Sequence, residues 1–349
     1  MSLLATLGLQ AAALATSSAT VLSNSLPTSF TSFATSLPAL LASIDWASIS
    51  PVLVVASMLR LGTPIVYAAL GETFAQRSGV INIGIEGVLL TGCCVSAVFS
   101  YITHSIFAGF VGAMLAGMAL TSLISLLVLR YKADQIVVGV GVNLVALGVT
   151  TLVAQSKPEL NDVTALRVWR IPFLKDLPWV GRALFQQKLS VYLLFFVIIA
   201  ATVLLNRTSW GLRVKASGET PAAADAAGIV VNRIRFQAML VCGALAGLGG
   251  AAYALGTTAG FTENMVAGRG FIALVAVIFG RWRPLTVAAG CAVFAFFEAV
   301  SLSAPGWGIT VPSQLLNSVP YLASLLALIV LRKGANPPSA LSMPFERKR

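Results

Sequence analysis

Asn82 and Glu86 stand four residues apart in an otherwise apolar stretch. On a helix that spacing puts an amide and a carboxylate on one face, with Gly79, Gly84 and Gly87 leaving room for a neighbour or a ligand to come close. A carboxylate held away from water costs several kcal/mol unless it is paired or hydrated, so Glu86 is a functional candidate by default. The competing reading is structural, a hydrogen bond or an ion pair across a bundle, with Arg60 as the cation. Asn143 repeats the theme on a face shared with Gly139. Its amide offers a donor and an acceptor suited to sugar hydroxyls or base edges, and an interhelical bond worth about 0.6 kcal/mol is the alternative. A third cluster runs over Thr257–Gly270, with Phe261, Glu263, Asn264, Arg269 and several glycines. It is too polar for a continuous lipid-facing helix, and irregular backbone at membrane depth persists only where it is buried or lines a cavity. A broken or re-entrant element is expected there, with a simple external turn as the alternative. Phe261 is placed to stack on a base or sugar, or simply to pack. Glu298, among Phe294, Phe296 and Phe297, is a weaker candidate of the same kind.

Covalent and metal chemistry have little support. The 349 residues hold one histidine, His104, and four cysteines, Cys93, Cys94, Cys242 and Cys291, all in apolar runs and without CxxC spacing. Neither HExxH nor GxSxG occurs, and the cysteines read as small buried hydrophobes. No GxxxxGK[ST] loop is present, so this chain does not bind ATP in the usual way. No metal, no cofactor and no enzymatic activity of its own are expected.

The elements that must position these groups are membrane spans. Hydrophobic residues make up 57% and charged residues 10%, with a mean hydropathy of +0.89, whereas soluble domains carry roughly a quarter charged residues. Apolar stretches of about 20 residues, enough to cross a hydrocarbon core of about 30 Å, are expected at 52–70, 79–100, 107–129, 135–154, 190–206, 236–256, 261–280, 285–303 and 313–331. The expected fold is an all-α integral membrane bundle of about 9–10 transmembrane helices, a tenth span coming from about 30–50. Residues 1–50 otherwise form an N-terminal extension without assigned disposition. Small residues recur at Gly243, Gly247 and Ala251, a seam that lets helix backbones approach closely.

The net charge of +11 reflects basic loops rather than nucleic-acid binding. Placing 207–235 on the cytoplasmic side also puts there Arg77, Arg130, Lys132, Arg281, Arg283 and the basic tail 334–349, in accord with the positive-inside rule. Within that loop Thr220-Pro221 is a helix-start signal, the following alanines favour helix, and Gly228 is a C-terminal cap. The result is a helix of about two turns, too short to be stable alone in water. It must dock on something: the bilayer, its own bundle or a partner.

Four stretches carry a family resemblance: Gly71-Glu-Thr-Phe-Ala-Gln-Arg-Ser-Gly through Glu86-Gly87, Ala133-Asp-Gln-Ile through Asn143, Gly211-Leu-Arg through Gly228-Ile, and Phe261-Thr-Glu-Asn through Phe279-Gly-Arg-Trp-Arg-Pro284. In this order they resemble ABC-importer permeases of the ribose/branched-chain amino acid superfamily, and among those the nucleoside/simple-sugar subgroup. The likeness runs from about residue 52 to the end, departing at Thr220 and Thr286, where related permeases often carry Asn and Gly.

The resemblance implies a permease domain over 51–333 with a cytoplasmic coupling loop at 207–235, in a bacterial cytoplasmic (inner) membrane with the C-terminus inside. Its implied partners are a cytoplasmic ABC ATPase, a second homologous permease in a heterodimer, an extracytoplasmic substrate-binding lipoprotein and the lipid bilayer. Gly211, Arg213, Gly218, Glu219, Thr220, Pro221, Asp225 and Gly228 would couple to the ATPase. Asn82, Glu86, Asn143, Phe261, Glu263, Asn264 and Arg269 are the pathway candidates. The cargo is expected to be a nucleoside, with ribose or another simple sugar as the alternative. A different class, an ion-coupled secondary transporter, would use Glu86, Glu72 or Glu298 as a relay.

Overall fold

A computed structural model describes residues 51–170, 184–307, 322 and 336–346. Ten α-helices form the described chain. They are α1 (Pro51–Arg77), α2 (Ile85–Thr103), α3 (Ile106–Ser125, extended by a π-turn over Leu126–Arg130), α4 (Gln135–Ser156), α5 (Leu189–Arg207), α6 (Ser209–Glu219), α7 (Pro221–Ala226), α8 (Val231–Tyr253, extended by a π-turn over Ala254–Thr258), α9 (Arg269–Phe279) and α10 (Pro284–Ser303). Seven of them are long and apolar enough to cross a membrane, and α9 is a shorter apolar helix. The spans expected at 313–331 and about 30–50, and the extension 1–50, lie outside the described residues.

Helix α8 is the hub and packs on α3, α1 and α2. The small-residue seam explains how. A side chain at Gly243 would strike Thr121 and the Gly117 backbone, and one at Gly247 would strike Ala113. Backbones this close gain van der Waals contact that larger residues would forbid. Helix α1 is buried along nearly its whole second half, whereas α4 and α5 expose Val137, Leu144, Leu152, Phe196 and Ile199. Those apolar outer faces suit hydrocarbon rather than water.

Caps set several boundaries. The Asp134 carboxylate accepts the N–H groups of Ile136 and Val137 to start α4, and Ser105 accepts from Ala108 to start α3.

Two expectations need correction. The span drawn at 79–100 begins only at Ile85, because residues 78–84 turn back and re-enter the bundle without forming a helix. The Asn82 N–H reaches the Glu72 carboxylate at 3.0 Å, so this non-helical segment descends beside the last turns of α1. The span drawn at 261–280 is helical only from Arg269, and the stretch before it is irregular, with positive φ at Ala259, Asn264, Ala267 and Gly268. The break expected there exists. The connection after α4 carries a 3-10 turn (Pro158–Asn161) and a small hairpin, β1 (Val168–Arg170) against β2 (Gln186–Lys188). This connection is stitched to the irregular stretch through Phe261 N–H to Leu160 C=O at 2.7 Å and Val163 N–H to Ala259 C=O at 3.1 Å.

Candidate functional site

Two polar clusters interrupt the apolar bundle. The first lies where α2 and α9 both begin. Helix α9 has 11 residues and is about 16 Å long, roughly half of a 30 Å hydrocarbon core, and its first N–H groups are unpaired by helix geometry. The Glu86 carboxylate satisfies them. Its Oε1 accepts the Gly268 N–H at 2.6 Å and its Oε2 the Gly270 N–H at 2.7 Å. Glu86 is itself in the first turn of α2, so its negative charge faces the positive ends of two helix dipoles.

The alternative reading, with Arg60 as the cation for Glu86, is not what forms. Arg60 donates from Nε to Gln187 Oε1 at 3.0 Å. Asn82 and Glu86 do not share a helix face either, because Asn82 precedes α2. A sequence spacing of four carries facial information only where both residues are helical.

Asn143 locks the re-entrant segment. Its Oδ1 accepts the Gly87 N–H at 2.8 Å and its Nδ2 donates to the Ile83 carbonyl at 3.0 Å. Gly139, one turn away, lies against Ile83 and Gly84. The amide is thus committed to backbone on both sides. Asn82 is buried beside Glu72 and Cys242, with its Nδ2 3.5 Å from Cys242 Sγ. Its Oδ1 is buried without a hydrogen-bond partner. Glu72 is fully buried and accepts from Gln76 Nε2 and the Asn82 N–H, both at 3.0 Å, while the Cys242 thiol lies 3.5 Å from its second oxygen.

Arg269 opens α9. Its Nη2 meets Glu298 Oε1 at 2.5 Å, its Nη1 donates to the carbonyls of Met265 and Val266, and its guanidinium sits 4.8 Å from the centre of the Tyr253 ring. Glu298, the weaker sequence candidate, is therefore the counter-charge of Arg269. Phe261 is completely buried, while Glu263 and Asn264 are exposed. The structure thus brings Glu86, Arg269 and Glu298 together at one helix start, and leaves Glu263 and Asn264 at the surface of the irregular stretch.

The second cluster is at the basic end. The loop expected to hold one short helix holds two. Helix α6 was not apparent from the sequence, although its buried residues Gly211, Val214 and Gly218 follow a helical spacing. Thr208 starts it, with its hydroxyl oxygen accepting the Gly211 N–H at 3.0 Å. Arg213 is exposed on its outer face. Helix α7 spans Pro221–Ala226. Thr220 holds the preceding position but makes no side-chain capping bond, so Pro221 with its preset φ carries the start alone. At the other end Ile229 N–H bonds Ala224 C=O and Gly228 N–H bonds Asp225 C=O, with Gly228 at φ +83°. This is a Schellman stop. Ala222, Ala223, Ala226 and Ala227 are exposed, and Ala224 and Asp225 face inward.

Helix α6 is tied to the bundle at Gly218, where a side chain would strike the Arg77 carbonyl. Arg77 and Glu219 form an ion pair at 3.7 Å. The C-terminal tail lies across this junction: Ala340 N–H reaches Gly218 C=O at 2.8 Å, Ser342 N–H reaches Gly79 C=O at 3.0 Å, and Glu219 accepts from Ser339. Beneath them Arg235 is almost fully buried, donating to Ser217 and Met343 carbonyls at 3.2 and 2.7 Å. Gly79, at φ +99°, faces the Arg235 guanidinium so closely that a side chain there would collide with it. Arg235 was missed because it reads as one more basic loop residue; its only signal is its place inside the first turns of an apolar helix.

Residues 54–331 match the family model of the branched-chain amino acid transport system / permease component. The Nucleoside ABC transporter permease protein NupC of Lactococcus lactis subsp. cremoris (strain MG1363) is 34% identical, covering 82% of this chain and 95% of its own length. The Guanosine ABC transporter permease proteins NupQ and NupP of Bacillus subtilis (strain 168) are 32% and 25% identical, covering 84% and 79% of this chain and 96% and 80% of their own lengths. With its seven long apolar helices and this match along most of its length, the chain is a multi-pass membrane protein that belongs to the permease components of branched-chain amino acid-type ABC transport systems.

Proposed function

We propose that this chain is the translocating subunit of an ATP-driven nucleoside importer, working beside a second, homologous permease and a cytoplasmic ABC ATPase, with an extracytoplasmic lipoprotein delivering the cargo. The support for the cargo is the similarity to permeases named for nucleoside and guanosine transport over nearly their full lengths. The support for a pair is that one organism holds two relatives named for guanosine transport. In the chain itself, the observation that carries the reading is α7. It is a six-residue helix with a defined start and a Schellman stop, and its outer alanine face is bare. A helix that short does not persist in water without support, and its fixed ends make it a rigid peg for a partner's groove.

In this reading the ATPase holds α7, and its closure moves α6 through Glu219 and Thr220. Helix α6 is fastened to the start of the re-entrant segment through Gly218 and Arg77, and that segment leads directly to Asn82 and Glu86 at the start of α2. Gly211, Arg213, Pro221, Asp225 and Gly228 shape this lever. Of the pathway candidates, Glu86, Asn143 and Arg269 hold the scaffold, whereas Glu263 and Asn264, exposed on the irregular stretch, are the groups free to meet the cargo or its delivery protein. The basic end faces the cytoplasm of a bacterial inner membrane.

Uptake of radiolabelled guanosine and ribose by cells producing the complete system, with and without this chain, tests the cargo. Guanosine uptake lost only when the chain is removed supports the reading. Loss of ribose uptake with guanosine uptake unchanged overturns it.

A further inference from the structure

We infer that the basic end of the bundle carries a binding site for the phosphate group of an anionic phospholipid. A cavity of about 550 Å³ opens between the ends of α1, α5, α6 and α10, and Arg77, Lys215 and Arg283 contribute three cations to its wall. Thr202 and Asn206 add hydrogen-bonding groups from α5, and Leu285 adds apolar surface from α10. The cations crowd one another. Burial and the neighbouring Arg77 charge hold the Lys215 ammonium below the usual lysine range. Arg77 and Lys215 still have partners: the Arg77 Nε donates to the Trp282 carbonyl at 3.0 Å and the Lys215 Nζ to Asn206 Oδ1 at 2.7 Å. Among the described residues the carboxylate paired with the group is Glu219, 3.7 Å from Arg77 and half exposed to solvent. A cavity that gathers three cations against one exposed carboxylate is short of negative charge, and a phosphate anion supplies it with acceptors that all three side chains can meet.

Two chemically similar sources exist, a soluble phosphate ester and a membrane lipid. The surroundings favour the lipid. The cavity sits at the ends of three long apolar helices, the place where a spanning bundle would meet the headgroup layer, and Leu285 is 59% exposed. One turn before Asn206, Val203 is 49% exposed, and Ile199 continues that apolar strip along α5. A headgroup in the cavity would have hydrocarbon-compatible surface directly beside it for the acyl chains. Basic pockets between spans on the cytoplasmic side bind lipid headgroups in this manner.

The test is native mass spectrometry of the purified full-length permease assembly, after delipidation and titration with phosphatidylglycerol or phosphatidylcholine, with glycerol 1-phosphate as a soluble competitor. Saturable retention of phosphatidylglycerol over phosphatidylcholine is expected. The pair Lys215→Gln with Arg283→Gln should weaken it about thirtyfold, at about fivefold per cation near a membrane surface. The pair Lys215→Arg with Arg283→Lys keeps both charges and should restore retention, which separates lost charge from lost fold. Equal retention of the two lipids, or retention unchanged in the Gln pair, overturns the site. Displacement by millimolar glycerol 1-phosphate overturns the lipid assignment.

Discussion

Both oxygens of Glu86 are spent on the backbone of another element: Oε1 on the Gly268 N–H and Oε2 on the Gly270 N–H. One side chain thereby joins the start of α2 to the start of α9, two helices more than 180 residues apart in sequence. Glu86→Gln keeps the size but replaces one acceptor with an N–H₂ group that faces a donor. Bonds to a charged acceptor are worth about 1.5–3 kcal/mol, so the variant should be destabilised by about 2 kcal/mol or more. Thermal unfolding of the purified permease checks this. Stability equal to the parent would mean that the bridge is not structural.

Arg269 is paired with Glu298 and lies over Tyr253. Glu298→Gln should cost more than Arg269→Gln with Glu298→Gln together, because removing one partner takes from Arg269, held away from water, the carboxylate it meets. A double-mutant cycle read by unfolding measures the coupling. Additive effects would contradict the pairing.

Three glycines should respond differently to alanine. Gly218→Ala drives a methyl into the Arg77 carbonyl and should separate ATP hydrolysis from transport, lowering uptake per ATP severalfold. Gly228→Ala has open space but a φ of +83°, and should cost about 1–2 kcal/mol at the α7 stop. Gly141→Ala, on the open face of α4 with nothing nearby, should be neutral or gain up to about 1 kcal/mol from helix propensity. The ratio of uptake to hydrolysis, measured with unfolding, orders the three. An unchanged ratio in Gly218→Ala would contradict the lever.

Much of this architecture is legible in the residues. The repeat of Gly243, Gly247 and Ala251 announces a closely packed face on α8, though not its partner, because close approach in lipid demands small side chains at helical period. The break before α9 follows from Glu263, Asn264 and the glycines, and the end of α7 follows from Gly228. The partners of Glu86 are not legible, because backbone N–H donors leave no mark in a sequence and a nearby Arg60 looks like the natural counter-charge. The re-entrant segment is hidden for a related reason: residues 79–84 are apolar enough to pass for the beginning of a span. Helix α6 is obscured by its polar composition, and only the spacing of Gly211, Val214 and Gly218 betrays it.

The tail makes a separate prediction. Arg235 is buried and donates to two backbone carbonyls, one of them that of Met343. Truncation after Pro338 removes that carbonyl and the Ala340 and Ser342 bonds, leaving a buried guanidinium with one partner fewer. Such a loss costs about 1–3 kcal/mol, and protease cleavage within 215–230 should accelerate. An unchanged cleavage rate would show that the tail does not fasten the junction.

The most direct measurement of the central claim is guanosine uptake into proteoliposomes holding the complete assembly, with the delivery protein outside and ATP inside. Uptake is expected to require ATP, to survive collapse of the proton gradient by an uncoupler, and to fall sharply when α7 is disrupted by Ala224→Pro. Uptake that continues without ATP and stops with the uncoupler would contradict it, and would move Glu72, Glu86 and Glu298 from scaffold to proton relay.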